Sequence, residues 1–397
     1  MNAIVLGNGR SGKAAEGLLR REGWTVRVLD GDDLWPDGGW DLCVTSPGVA
    51  LDHPWQKAAR AAGVPVISEL QLGAERFHAV GGKMLAVTGS KGKSSVVKLV
   101  ADALGGVPCG NYGKPLCEVV LETRDRPMLP WAVVEVSSFQ METTSLLPDT
   151  FEAAAILNLQ EDHLDRHGSV EAYHALKRKL LSFAKVKIVG TDPAKDCKDA
   201  GLFAESYFDN PVLRDNGLCA VALMRVAGLG DDAIKASFAR FEPLPHRLQT
   251  VSTFGGITWI DDSKATSIAA LIAGVAMVAA GLKSPPDGSR KPKIHLIAGG
   301  LAKGDDPALA DECLEKSVKK VYLIGQCAPV FDAAWRGIVP CEVCGTMERA
   351  VTAAYRCAEP EDVVLLSPGT ASFDQFKSYG ERGDCFAAAV GRDLLSG

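Results

Sequence analysis

At 397 residues the chain exceeds one ordinary core, and a prior of about 150 residues per domain predicts two or three domains, of which we take three. A hydrophobic fraction of 47% with 23% charged residues describes an ordinary soluble globular protein. The net charge of -6 supplies no bulk attraction to nucleic acid or to an anionic membrane, and neither is expected as a partner.

Apolar strand-like runs alternate with helical patterns throughout, which predicts an α/β class with parallel sheets covered by helices. The first strand, residues 3–6, lies in an N-terminal apolar run too short for a signal peptide and with no basic segment before it, so a cytoplasmic location is expected. Gly7-Asn-Gly9-Arg-Ser-Gly12 follows, then a helix over 13–21 and a strand over 25–29 that ends at Asp30, 18 positions beyond Gly12. That is the dinucleotide-binding pattern in its strand-turn-helix context, and read alone it points to NAD. Another strand ends at Thr45-Ser46-Pro47-Gly48, a loop suited to meet a ligand at the sheet edge. The glycine-rich joint at 80–82 marks the first boundary.

The middle block opens with a strand over 84–87, then Thr-Gly-Ser-Lys-Gly-Lys-Ser-Ser at 88–95, then a helix over 96–104. Gly89 and Gly92 permit a tight turn that aims N-H groups at a phosphate, Lys93 supplies a point charge, and Ser94 can reach a magnesium ion. Only Ser90 and Lys91 lie between the two glycines, where the usual phosphate loop has four residues, so a plain glycine-rich turn stays open on this segment alone. A buried strand over 131–136 delivers Glu135 to its end, a common way to hold magnesium beside such a loop. A second strand, 153–159, runs into Gln-Glu-Asp-His at 160–163, where His163 is either a metal ligand or a polar loop residue. Ser169 caps a helix over 170–183 that carries Tyr173 and Lys177 on one face. Lys177-Arg178-Lys179 reads as a solvated face unless Lys177 points inward.

Glu242-Pro243-Leu244-Pro245 is the second linker. Beyond it, strands are expected near 256–261, 293–298, 321–324 and 363–367, with a polar, proline-rich surface loop at 284–292. The apolar stretch 268–282 falls short of the roughly 18 to 20 residues of a membrane span and reads as a buried helix. Eleven cysteines are scattered, Cys341 and Cys344 forming the only close pair; a lone C-x-x-C is poor support for zinc, and the thiols are read as mostly structural.

Taken in order, the segments 88–95, Glu135-Val-Ser-Ser-Phe-Gln-Met-Glu-Thr-Thr, Ile156-Leu-Asn-Leu-Gln-Glu-Asp-His-Leu-Asp-Arg, Pro245-His-Arg, Asp261-Asp-Ser-Lys-Ala-Thr and Ser367-Pro-Gly-Thr-Ala-Ser-Phe-Asp-Gln-Phe resemble the Mur ligase family over nearly the whole chain. Within that family they are similar to the branch that joins D-glutamate to UDP-N-acetylmuramoyl-L-alanine with ATP during peptidoglycan precursor synthesis. The resemblance implies three domains. Residues 1–80 would form a Rossmann-like domain for the UDP substrate, 81–242 a central P-loop ATPase-like domain, and 243–397 a Rossmann-like domain for the amino acid. A monomer is expected.

The resemblance also implies site residues. Gly89, Ser90, Lys91, Gly92, Lys93, Ser94 and Ser95 would hold ATP phosphates, with Asn216 at the adenine and Arg247, Asp262 and Lys264 as further nucleotide contacts. Ser94 and Glu135 would bind one magnesium ion and His163 a second, served by a carbamate on Lys177; Lys93, His163 and Lys177 form the catalytic set. A carbamate requires a desolvated, neutral amine, which an exposed lysine titrating near 10.4 does not offer. Gly9, Arg10, Ser11, Asp30, Ser46, Pro47, Gly48, Asn111, Ser137 and Gln140 would meet the UDP substrate. Thr266, Lys303, Ser372, Phe373 and Tyr379 would surround the incoming amino acid, the Lys303 cation suiting its side-chain carboxylate. Departures from the family pattern are Lys91 for an Asn or Asp, Leu213 for an Asn, Phe373 for a Leu, Tyr379 for a Phe, and a short segment between Asp30 and Ser46.

Two other enzyme readings compete. Folylpolyglutamate-type ligation would share the chemistry, and an NAD-dependent oxidoreductase would explain Gly7 to Gly12 but nothing after residue 80. A catalytically silent binding protein is disfavoured by the intact set Lys93, Glu135, His163 and Lys177.

Overall fold

The computed structural model describes residues 1–190, 197–210, 212–282 and 293–395. The α/β expectation holds, and three sheets carry the chain. The first is four-stranded and parallel, in order β2-β1-β3-β4, with β1 Asn2–Leu6, β2 Thr25–Leu29, β3 Leu42–Thr45 and β4 Val66–Ser68. The second is five-stranded and parallel, in order β6-β7-β5-β8-β9, with β5 Met84–Thr88, β6 Val107–Gly110, β7 Ala132–Glu135, β8 Phe151–Ile156 and β9 Ala184–Val189. Its middle strand β5 is buried along its whole length, as a strand covered by helices on both faces must be.

The third sheet has the order β10-β11-β15-β12-β13-β14, built from β10 Gln249–Phe254, β11 Ile257–Asp261, β12 Ile294–Gly299, β13 Val318–Ile324, β14 Cys341–Gly345 and β15 Val363–Leu366. Only the β10–β11 pair in it is antiparallel. The chain moves outward from β12 through β13 to β14, then returns to the other side of β12 as β15. In open α/β sheets, ligands are met at the carboxyl ends of strands flanking such a reversal.

By compactness the described chain divides into two units, one of residues 1–209 and 213–241, the other of 210–212 and 242–397. In the first unit the first and second sheets share one apolar core, in which Leu70 and Phe77 of helix Glu69–Ala79 join Leu116 and Val120 of helix Leu116–Thr123. In the second unit, clusters on both faces of the third sheet centre on residues such as Leu271 and Leu296, and Trp259 and Phe386.

Several element bounds differ from expectation for local reasons. The first helix begins at Arg10 rather than 13, because Gly9 already stands at its N-cap. The α-helix capped by Ser169 ends at Lys179, and Leu180–Phe183 tightens into a 3-10 turn. β8 stops at Ile156, three residues short of the expected 159, because Asn158 turns into the loop at 88–92. The long apolar stretch forms helix Ile268–Gly281, and among the described residues no helix is long and apolar enough to cross a membrane. The expected loop at 284–292 lies outside the described residues. Cys43, Cys109, Cys117, Cys219, Cys313, Cys327, Cys341, Cys344, Cys357 and Cys385 are free thiols, and burial raises the thiol of Cys344.

Candidate active site

β5 ends at Thr88 and helix Lys93–Leu104 begins four residues after Gly89, so the phosphate-loop sequence sits where a central parallel strand hands over to a helix N-terminus. Gly92 holds φ +81°, and a Cβ there would lie 1.9 Å from Asn216 Nδ2, so both backbone and space require glycine. Ser94 and Ser95 are buried in the first turn.

Lys93 Nζ donates to the carbonyls of Gly89 at 2.8 Å and Ser90 at 3.1 Å. Lys177 Nζ donates to the same Gly89 carbonyl at 2.9 Å and lies 4.4 Å from the centre of the Tyr173 ring. The side chain of Lys177 therefore points inward, 1% exposed, away from the solvated face its sequence neighbours suggest. Burial, reinforced by the Lys93 ammonium, pushes its amine down from the ordinary lysine value to about 7. The Tyr173 hydroxyl donates to Ser90 Oγ at 3.3 Å, and burial raises it to about 12.

Glu135 closes β7, with Val87 as its partner on β5. Its side chain is buried; Oε1 accepts from Asn111 Nδ2 at 2.7 Å, while Oε2 has no hydrogen-bond partner. A buried carboxylate oxygen with no donor is a costly arrangement that a cation would relieve. Asn111, expected toward the UDP substrate, is thus held at the expected metal ligand. His163 follows β8 with φ +54° and is half exposed, its ring 4.9 Å from Phe139 and its Nε2 3.9 Å from Asp162 Oδ1. Lys91 Nζ sits 3.6 Å from Asp162 Oδ2. Among the described residues no three His, Cys, Asp or Glu side chains form a ready metal cluster. One carboxylate, a serine hydroxyl and a histidine fit magnesium, which keeps waters and phosphate oxygens among its ligands, better than they fit zinc.

The residues expected at the UDP substrate follow the carboxyl ends of β1, β2 and β3 in the first sheet and of β6 and β7 in the second. Gly9, Arg10 and Ser11 open the first helix, and Arg10 Nη2 donates to the Gly113 carbonyl at 2.9 Å. Asp30 follows β2, and its N-H donates to Asp33 Oδ2 at 3.0 Å. Ser46, Pro47 and Gly48 follow β3. Ser137 and Gln140 cap one another at the start of the short helix Ser138–Met141.

Sequence reasoning gave no role to the side chain that ties these pieces together. Arg166 makes a two-pronged ion pair with the buried Glu142, at 3.0 and 2.6 Å, covers the Phe139 ring at 4.5 Å, and donates to the carbonyls of Pro47 and Val49 at 3.3 and 3.4 Å. It joins the loop after β3 to the segment that carries His163.

In the second unit the expected residues gather at the carboxyl ends of β11, β12 and β15. Asp262 follows β11; its N-H donates to the Leu366 carbonyl at 2.8 Å, and its Oδ2 accepts from Ser367 Oγ at 3.1 Å. Burial raises its carboxyl to about 7, against the opposing pull of Ser367 and Arg247. Lys264 Nζ lies 3.9 Å from the centre of the Tyr379 ring. Thr266 is half-buried ahead of helix Ile268–Gly281, and Ser372 is buried after β15. Lys303 is exposed, two residues beyond the Leu301–Ala371 bridge, and Phe373 is 70% exposed.

Arg382, also missed from sequence, is fully buried. Its guanidinium donates to Ser263 Oγ and the carbonyls of Ser263, Thr370 and Ala371 at 2.9 to 3.2 Å, tying the loops after β11 and β15 together.

A strand-to-helix phosphate loop, two amines on one loop carbonyl and a buried carboxylate with an open oxygen make up an ATP-using class of site. Family models match in two places: the Mur ligase middle domain over residues 87–200, and the Mur ligase, glutamate ligase domain over residues 246–369. The chain belongs to the Mur ligase family. The UDP-N-acetylmuramoylalanine--D-glutamate ligase of Sphingopyxis alaskensis is 37% identical to it, across 97% of this chain and 96% of that protein. The ligase of the same name from Acidobacterium capsulatum is 33% identical, across 98% and 95%. A solved structure of MurF ligase from Thermotoga maritima in complex with ADP shares the fold, with a TM-score of 0.59 and 14% identity across 99% of this chain and 95% of that one.

Proposed function

We infer that this chain is an ATP-dependent ligase that adds D-glutamate to UDP-N-acetylmuramoyl-L-alanine, with release of ADP and phosphate, in peptidoglycan precursor synthesis. The observation that carries the reading is the meeting of Lys93, Lys177 and Glu135 around the loop at Gly89, in a chain whose near full-length relatives bear the name of that ligation. Residues 1–80, 81–242 and 243–397 are taken as the blocks for UDP substrate, ATP and amino acid, acting as a monomer in the cytoplasm.

Lys177, its amine lowered to about 7, offers the lone pair that carbon dioxide requires; its nitrogen would bond the carbon as one C=O pair moves onto oxygen and would give one proton to water, leaving an anionic carbamate. Ser94 and Glu135 would then hold one magnesium ion, and His163 with that carbamate a second. Magnesium supplies Lewis-acid charge screening between two anionic substrates. Lys93, a fixed cation at the loop, attracts the phosphates and stabilises charge on the transferring phosphoryl group. An oxygen of the substrate carboxylate bonds the γ-phosphorus as the bond to ADP breaks, giving an acyl phosphate. The glutamate nitrogen then bonds the acyl carbon, phosphate departs with the C-O bonding pair, and the amine's proton goes to water. Lys303 suits the side-chain carboxylate of the amino acid, with the hydroxyls of Thr266, Ser372 and Tyr379 orienting the rest.

Phosphate release with ATP, magnesium and UDP-N-acetylmuramoyl-L-alanine tests the reading when D-glutamate is compared with L-glutamate, lysine and no amino acid. Release that requires both the nucleotide sugar and D-glutamate is expected. Release with another amino acid would keep the chemistry and change the substrate; none under any combination would overturn the assignment.

A further inference from the structure

The loop from Gly89 to Gly92 spans the phosphate site with two residues between its glycines, where the usual loop has four. A loop that short has few groups of its own with which to fix its shape. Lys177 and Tyr173 touch it from outside at the Gly89 carbonyl and Ser90 Oγ, and the side chain that takes hold of its peptide groups most extensively is Asn158, two residues past the end of β8. Asn158 Oδ1 accepts the N-H groups of Ser90 at 3.1 Å and Lys91 at 2.8 Å, and Nδ2 donates to the Lys91 carbonyl at 3.0 Å and to Asn216 Oδ1 at 3.2 Å. A primary amide has two N-H bonds to give and two lone pairs to fill, so this one is fully used. Three of its partners are backbone groups of the loop. The fourth is the buried amide whose Nδ2 occupies the space beside Gly92 that a Cβ would need.

We propose that Asn158 is the positioning residue of the phosphate loop, replacing with one side chain the backbone length that the loop lacks. Two consequences follow from the bonding. The Ser90 and Lys91 N-H groups are turned onto Asn158, so the polyphosphate is gripped by the N-H groups at the start of helix Lys93–Leu104 and by the Lys93 ammonium. Asn216 on helix Arg214–Val226 is coupled through Asn158 to the loop, so the far side of the nucleotide site and the phosphate grip share one hydrogen-bonded chain. The inference rests on the reading of this loop as the ATP site.

Asn158→Asp is nearly isosteric, keeps the acceptor for Ser90 and Lys91, and places an oxygen against the Lys91 carbonyl and Asn216 Oδ1 in place of a donor. Calorimetric titration of the full chain with magnesium-ADP and, separately, with UDP reads the effect. The expected result is a dissociation constant for ADP raised ten-fold or more while that for UDP stays within two-fold. In steady state, KM for ATP should rise while KM for the nucleotide sugar holds. If Asn158→Asp yields no folded protein, Asn158→Ser, which removes both donors without adding charge, is read by the same criteria. ADP affinity equal to wild type, or equal loss of both ligands, overturns the proposal. A wild-type chain that binds UDP but not ADP removes the nucleotide reading of the loop itself, an outcome separable from the failure of Asn158 alone.

Discussion

Replacing Lys177 by methionine, which keeps the length of the side chain and removes its charge, tests the inward lysine most directly. The folded-state value of about 7 lies below the ordinary lysine value of 10.5. Between those values the unfolded chain binds a proton that the folded chain refuses, so stability falls as pH drops from about 10.5 toward 7, and the loss is complete below about 7. At about 1.4 kcal/mol per pH unit, the burden reaches up to about 5 kcal/mol at pH 6 and about 3 kcal/mol at pH 8.5. Urea unfolding in carbon dioxide-depleted buffer should therefore show Lys177→Met gaining most over wild type at low pH, with the gap narrowing by about 2 kcal/mol between pH 6.5 and 8.5. Parallel pH profiles for the two proteins would refute the reasoning, because they would mean that Lys177 keeps an ordinary lysine value when folded. The same shift leaves roughly 90% of the amine neutral at pH 8, against roughly 0.3% for an ordinary lysine, which is what carbamylation needs. Activity should accordingly fall about 100-fold or more in Lys177→Ala, with partial return on adding short carboxylates; unaltered activity would remove the carbamate from the mechanism.

Three further outcomes are expected. Glu135→Gln removes the open carboxylate oxygen beside the loop, so the magnesium concentration for half-maximal activity should rise about ten-fold or more, as read by metal titration at saturating ATP; an unchanged requirement would place the ion elsewhere. Arg166→Gln strands Glu142 without its paired cation and should destabilise the fold by about 3 kcal/mol or more, raising KM for the nucleotide sugar; adding Glu142→Gln should recover part of the stability, and strict additivity in that double-mutant cycle would deny the pairing. Arg382→Met removes the guanidinium that donates to Ser263 Oγ and to the carbonyls of Ser263, Thr370 and Ala371, of which Ala371 keeps the Leu301 N-H, and should cost about 2 to 4 kcal/mol in chemical unfolding, with KM for the amino acid rising more than KM for ATP.

Periodicity made the class and the phosphate loop legible, because β5 is a continuous apolar run followed by glycines and a regular helix. It missed β9, where Lys185 and Lys187 interrupt the apolar pattern, and β10, whose residues are largely half-buried or exposed. The candidate residues of the middle block were legible from motif order. Their partners were not, since Asn158 reaches Ser90 across 68 positions, and Arg166 reaches Pro47 and Arg382 reaches Ser263 across 119. No local pattern reports such contacts. Lys177 is the instructive case. A Lys-Arg-Lys run looks like solvated surface, and only the family resemblance, with its spacing of four from Tyr173, suggested that the first of the three faces inward.

If position 177 supplies a metal-binding anion, as proposed, the crowding at Gly89 gives a reason for a lysine there. A glutamate at position 177 would stand beside Lys93 and pair with it, drawing the cation off the phosphates and burying a charge pair whose geometry then competes with ATP. A lysine that stays protonated would repel Lys93 across the one carbonyl both amines use, and that repulsion is the second cause of its lowered value after burial. The neutral amine is the state that leaves Lys93 cationic without adding a charge of its own. On the proposed reading it would become an anion only by taking up carbon dioxide. A carbamate there and the unpartnered Glu135 Oε2 would be two negative groups beside the Lys93 cation, where the proposed reaction brings an anionic substrate against a triphosphate. The stability lost by burying Lys177 is the physical reason that the site can hold a reactive amine at neutral pH.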